Sequence, residues 1–214
     1  QPTYPRIQSF KQGYAAFIKD GKWGFLNDAG EEMIPAHYDK VGVFSEGLAA
    51  FQQDGKWGYL NNQGQEVIAA QFDEIHIFSE QRAAVRIDEK WGYIDNEGKL
   101  LIDMQFSQVR VFREGFAAVL DNGKWGYIDK NGDWLINAQF EEAKAFGEGF
   151  AVIKQNGLYG FINRSGEIVI KPYFDDAWNF SEGLSRVEKN AKVGYINTTG
   201  KMEIAPEYVW ADSF

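Results

Sequence analysis

The chain carries two histidines, His37 and His76, at different positions of its internal pattern, and no cysteine. Without cysteine there is no thiolate nucleophile, no disulfide and no Cys-based zinc site. No Gly-x-Ser-x-Gly elbow, Gly-x-Gly-x-x-Gly turn or phosphate loop occurs, so the usual nucleophile and phosphate chemistries have no anchor. Carboxylates are abundant, which leaves a small hydrolase with paired carboxylates as a less favoured reading, and no catalytic residue is assigned. The stretch Asp129 to Asp133, "DKNGD", resembles part of a calcium loop. Its glycine comes too early for that loop, and a simple Asx turn explains it. No metal and no cofactor is expected.

The residues that point to recognition are basic and aromatic. Arg82, Arg86, Arg110 and Arg113 gather in mid-chain although the formal charge is −9. One position of the pattern reads Gly42, His76, Arg110, Lys144, Trp178 and Asp212. It lies between apolar neighbours such as Ile75 and Ile77, so in a strand it points outward. A second varied position reads Leu48, Arg82, Phe116 and Phe150. Such a surface suits a peptide or an acidic partner; an ordinary solvated face is the alternative.

These residues are placed by a repeat. Trp23, Trp57, Trp91 and Trp125 are 34 residues apart, and Tyr159 and Val193 continue the series. The following glycine recurs as Gly24, Gly58, Gly92, Gly126, Gly160 and Gly194, and a Phe recurs from Phe10 through Phe44, Phe78, Phe112, Phe146 and Phe180 to Phe214. Six units (10–43, 44–77, 78–111, 112–145, 146–179 and 180–213) follow a stub of residues 1–9, as one repeat domain over 1–214. Self-similarity at this period marks a stacked array.

Each unit reads as three or four short strands. "LAAFQQ" and "KWGYLN" flank Asp54-Gly55, a two-residue hairpin turn in which both positions tolerate positive φ. Asp88-Glu89 and Asn190-Ala191 depart from that turn and predict less well specified hairpins. An Asx-x-x-Gly turn follows, from Asn27–Gly30 to Asn197–Gly200, then a third strand ending in Ile. The connector to the next Phe has room for a turn of helix. The Trp and Gly positions, with Tyr159, are read as framework, and the four Trp as buried, because a core tolerates the change to Val193 better than a ligand platform does.

The words "DGKWGYLNNQGQEVI" and "FSEGLAAF" resemble the WG-repeat (KWG-repeat) family of bacterial proteins over essentially the whole chain. The resemblance implies a bacterial β-rich repeat protein of variable copy number and no established enzymatic activity. Tyr159 and Val193 depart from its Trp.

The predicted fold is all-β: six tandem units of antiparallel strands in an open, twisted solenoid-like array, with a closed six-bladed propeller-like ring as the alternative. The open form follows from the duplicated ends. Residues 1–10 and 205–214 occupy the same phase and would compete for one slot in a ring. The acidic balance disfavours nucleic acid and anionic lipid, and no apolar run approaches a membrane span. Gln1 reads as a processed or trimmed start. Location stays open, with the periplasm or exterior favoured over the cytoplasm. The expected function is a non-catalytic scaffold for a protein or peptide partner, at His76, Arg82, Arg86, Arg110, Arg113, Lys144 and Trp178. The alternative is a carbohydrate or cell-wall binding module using exposed aromatics.

Overall fold

The computed structural model describes Tyr4 and residues 6–208. Pro2 and Phe214, on which part of the end-matching rests, and Asp212 of the varied position lie outside the described residues. Two compact units make up the chain, Gln1–Gln105 and Phe106–Phe214. All regular secondary structure among the described residues is strand. It forms six four-stranded antiparallel sheets in tandem, each paired in chain order and none closed into a barrel.

The first sheet is β1 (Arg6–Ile7), β2 (Tyr14–Lys19), β3 (Lys22–Asn27) and β4 (Glu32–Tyr38). The second is β5 (Lys40–Ser45), β6 (Leu48–Gln53), β7 (Lys56–Asn61) and β8 (Glu66–Phe72). The third is β9 (Glu74–Ile75), β10 (Ala83–Ile87), β11 (Lys90–Ile94) and β12 (Leu100–Phe106). The fourth is β13 (Gln108–Val109), β14 (Ala117–Asp121), β15 (Lys124–Ile128) and β16 (Trp134–Phe140). The fifth is β17 (Glu142–Ala143), β18 (Phe150–Gln155), β19 (Leu158–Asn163) and β20 (Ile168–Phe174). The sixth is β21 (Asp176–Ala177), β22 (Leu184–Lys189), β23 (Lys192–Asn197) and β24 (Met202–Tyr208).

Each sheet opens four residues before the recurring Phe, at Arg6, Lys40, Glu74, Gln108, Glu142 and Asp176. The connector therefore holds no helical turn. It is the first strand of the following sheet, and the opening stub supplies that strand for the first sheet.

The local chemistry sets the strand ends. Asp54 and Gly55 have φ of 50° and 79°, the geometry of a twisted two-residue hairpin. Asp88-Glu89 (48° and 65°) and Asn190-Ala191 (52° and 57°) adopt the same turn. Those two hairpins are thus as well defined as the others, and a left-handed Glu89 and Ala191 carry the strain. In each Asx-x-x-Gly turn the Asx oxygen accepts from the N–H groups two and four residues on. Asn61 Oδ1 does so from Gln63 and Gln65, both at 3.0 Å.

The glycine after Trp is required by contact. The outer strand bulges against β7, with register shifts on both sides of Tyr59. A Cβ on Gly58 would lie 2.4 Å from the carbonyl oxygen of Ile68. The equivalent distance is 2.3 to 2.6 Å at all six glycines, so no side chain fits there.

The core lies between successive sheets. Tyr59 of the second sheet meets Phe78 of the third edge-on at 4.8 Å, and Tyr127 of the fourth meets Phe146 of the fifth at 4.9 Å. Phe44, Phe78, Phe112, Phe146 and Phe180 are buried. Phe10 shares their phase but is 49% exposed.

Carboxylates at one recurring position latch the hairpins. Asp73 Oδ2 accepts from Asp88 N–H at 3.1 Å while its Oδ1 takes Lys56 Nζ at 2.5 Å. Asp39 repeats both contacts, to Asp54 N–H at 3.0 Å and Lys22 Nζ at 2.5 Å. Glu141 accepts from Asn156 and Gly157 N–H, both at 2.9 Å, and Asp175 from Asn190 N–H at 2.7 Å. Ser107 holds the equivalent place in the fourth sheet. A second latch joins one sheet to the next. The Glu46 carboxylate accepts from Glu80 and Gln81 N–H at 2.7 and 2.8 Å, and Glu148 does the same for Glu182 and Gly183 at 2.7 and 2.9 Å.

Three outcomes follow from these contacts. Glu89→Gly and Ala191→Gly relieve left-handed strain and should each raise the unfolding free energy by about 0.5–1 kcal/mol in urea titrations. Trp91→Ala, which empties a buried site, should lose about 3–5 kcal/mol, and the half-buried Trp57 should lose clearly less. The third outcome concerns pH. Asp39 and Asp73 are held below the usual carboxylate range first by Lys22 and Lys56, then by the turn N–H groups; in Glu141 and Asp175 the turn N–H groups come first. Folding lowers these pKa values, so their contribution is complete above the unfolded value of about 4 and is lost as pH falls through the folded value. Urea midpoints should be flat from about pH 5 to 7 and drop below about pH 4, less steeply in Asp73→Asn.

Candidate functional site

In the third, fourth and fifth sheets the WG aromatic is roofed by the residue 15 positions before it. In the first unit His76 lies over Trp91, ring centroids 4.7 Å apart, with the Arg86 guanidinium 5.9 Å from the same ring. Arg86 Nη2 also donates to Glu74 Oε1 at 2.6 Å. In the second unit Arg110 sits 5.2 Å over Trp125, and Lys144 sits 5.4 Å over Tyr159. The position expected to point outward is therefore half-buried, because the indole below it offers a cation an attractive face.

Where the roof is missing, the indole is open. Residue 42 is glycine, and Trp57 is half-buried; Trp23 is half-buried too, although Gln8 holds the equivalent place and the Arg6 guanidinium lies 6.0 Å from its ring. The expectation of four buried Trp thus fails at these two, whereas Trp91 and Trp125 are both 6% exposed. Gly42, Ala50, Trp57, His76, Ile77 and Trp91 line a shallow cleft of about 260 Å³ in the first unit.

In the second unit the contacts run on from sheet to sheet. Arg110 Nε donates to Ala143 O at 2.9 Å, and its Nη2 lies 4.0 Å from Glu142 Oε1. Tyr159 OH donates to Glu142 Oε2 at 2.6 Å. Burial first, and then Glu142, pushes the Tyr159 hydroxyl up, so it stays a donor at neutral pH. Lys144 Nζ donates to Ala177 O at 2.6 Å and lies 3.4 Å from Asp176 Oδ1 and 5.3 Å from the Trp178 ring. Arg186 closes the series, its guanidinium 3.7 Å over Trp178.

Of the residues singled out in the sequence, His76 and Arg86 come together in the first unit, and Arg110, Lys144 and Trp178 in the second. Arg82 and Arg113 do not join them. Arg82 Nη1 donates to Gln81 O at 3.0 Å, and Arg113 is an exposed residue bridged through its backbone to Phe116. The second varied position is packing in the second unit: Phe116 stacks on Phe146 at 4.2 Å, and Phe150 meets Phe180 at 5.2 Å.

Arg186 was missed. Its signal was present, since the same position is Ala16, Ala50, Ala84, Ala118 and Val152 in the other units. Ser185 beside it, Trp178 and Val193 also depart from the pattern, and Ser185 Oγ donates to Trp178 O at 2.6 Å. In the last sheet the indole has moved from position 193 to 178, and the cation that covers it has moved to 186.

The calcium-like stretch is an Asx turn. Asp129 Oδ1 accepts from Asn131 and Asp133 N–H at 2.8 and 3.0 Å. Among the described residues no group of three or more His, Asp or Glu is placed to hold a metal ion. What the site offers is ring faces, cations and carbonyls on a fixed frame, which suits binding.

Comparison with known proteins fits this frame. Among curated proteins none matches the chain. The fold resembles that of a eukaryotic initiation factor, with a TM-score of 0.67 at 12% identity over 96% of this chain and 66% of that one. It also resembles Hsv2p of Kluyveromyces lactis, with a TM-score of 0.56 at 10% identity over 89% of this chain and 74% of that one. The dihydro-heme d1 dehydrogenase NirN gives 0.52 at 12% identity over 96% of this chain and 56% of that one. At these identities the likeness is one of fold. The WG containing repeat matches seven times, at residues 1–23, 23–57, 57–91, 91–125, 125–159, 159–192 and 194–214. With a repeat every 34 residues, Trp-Gly in four sheets and the glycine locked by contact in all six, the chain belongs to the WG containing repeat family.

Proposed function

We propose that this repeat protein is a non-catalytic scaffold that binds a protein or peptide partner through the series Arg110, Lys144, Trp178 and Arg186. One observation carries the reading. The side chains over the WG aromatics differ from unit to unit, while the strands, turns and glycines beneath them stay constant. A fixed frame with one varied row is how repeat arrays specify partners. The row sets Arg110 on the buried Trp125 and Lys144 against the half-buried Trp178, which Arg186 of the neighbouring strand also covers, in a chain whose formal charge is −9. The partner it suits carries acidic and aromatic side chains, since carboxylates meet the cations and rings extend the stacks.

The open indole of Trp57 and its cleft in the first unit support a second reading, a carbohydrate that stacks on that ring.

An acidic, aromatic-rich peptide array and a glycan array, run on the same protein, separate the two. Peptide binding should fall by about tenfold or more, over 1.4 kcal/mol, in Lys144→Gln and Arg186→Gln. Because Lys144 also bonds Ala177 O, its variant should lose a little thermal stability as well. A silent peptide array together with glycan binding lost in Trp57→Ala would reverse the assignment.

A further inference from the structure

Every sheet ends on an outer strand hydrogen-bonded on one side only among the described residues: β4, β8, β12, β16, β20 and β24. Such an edge presents free N–H and C=O groups to any extended chain, and proteins block it with charge or proline. Five of the six are blocked in that way. The blocking residues are Glu32 and Pro35 in β4, Glu66 in β8 and Asp103 in β12; β20 has Lys171 and Pro172, and β24 has Glu203 and Pro206. The fourth sheet departs. Strand β16 reads "WLINAQF", with no charge and no proline. Its residue 137 is Asn; the equivalent residues are Pro35, Ala69, Asp103, Lys171 and Ala205, so the frame accepts a charge or a proline at this place in three sister sheets. Leu135 is 48% and Trp134 38% exposed; Asn137 makes no ladder pair with β15, and its carbonyl accepts from the exposed Gln139 Nε2 at 3.3 Å, a side chain that an added strand can displace.

We infer that the free edge of β16 is a strand-addition site for an extended segment of another protein, apolar in its middle and basic at its ends. The unpaired backbone selects an extended strand, since only a strand matches its donors and acceptors at every second residue. The charge selects the ends. Exposed Asp133 and Glu141 bracket the strand directly. The same two residues argue against a second copy of this chain. In an antiparallel self-pair centred on Asn137, Asp133 falls opposite Glu141, and like charges directly opposite destabilise the pair.

The site is distinct from the series of Arg110, Lys144, Trp178 and Arg186, so the two are tested apart. Random displayed peptides of about 12 residues, long enough to cover the strand and both flanks, should be selected on the intact protein. The expected winners alternate apolar residues and carry Lys or Arg at both ends. Their binding should fall by about tenfold or more in Asn137→Pro and Asn137→Lys, with unchanged melting temperature, because Pro35 and Lys171 already occupy that position in sister sheets. Binding should weaken with salt, protect β16 amides from hydrogen exchange, and persist in Lys144→Gln and Arg186→Gln. Three results would overturn the inference: no such peptides selected, equal binding by the Asn137 variants, or a concentration-dependent dimer that Asn137→Lys dissolves.

Discussion

A missing Cβ holds this structure in register. At Gly58 the carbonyl of Ile68 comes so close that a Cβ would lie 2.4 Å from its oxygen. The bulge that brings it there turns the Ile68 side chain into the core, where it is 3% exposed. Gly98, in the Asx turn of the next sheet, then seats on that Ile; a Cβ there would lie 3.2 Å from Ile68 Cγ1. The same relay runs from Gly24 through Ile34 to Gly64, and from Gly126 through Ile136 to Gly166. One glycine fixes the outer strand, the outer strand aims the Ile, and the Ile locates the next turn.

That relay explains why the unit repeats without insertion. An added residue in the turn or outer strand moves the Ile off the glycine it must meet, and the glutamate latch off the N–H groups it caps 34 and 35 residues on. A lone four-stranded sheet leaves both faces of its second and third strands apolar. Burial of Tyr59 against Phe78, or Tyr127 against Phe146, requires a neighbour, so stability is shared between adjacent sheets.

Positions that take no part in the relay are free to vary. The residue 15 places before the WG position changes from Gly42 to His76 in the first unit, and from Arg110 through Lys144 to Trp178 in the second. The outermost strands vary too, and there β16 alone among the six outer strands has neither a charge nor a proline. Both places vary because neither takes part in the glycine-to-isoleucine relay.

The sequence alone determined what is local. Asp54-Gly55 and Asn61 to Gly64 announce their turns because the required φ values and Asx bonds lie within a few residues. The 34-residue period announced the array, and the recurring Trp-Gly marked the framework. Tertiary structure decided what depends on distant groups. That Trp57 is open and Trp91 is covered rests on a residue 15 places back, glycine in one case and histidine in the other. The first strand of each sheet comes from the preceding unit, which no single unit shows. Nothing beside Asp73 in the sequence signals the Asp88 N–H and Lys56 ammonium that folding sets against it. Arg186 looks like a lone substitution until Trp178 lies 3.7 Å beneath it. Through-space hydrogen bonds and stacked rings join residues whose sequence separation carries no sign of the contact, so only the folded chain places them.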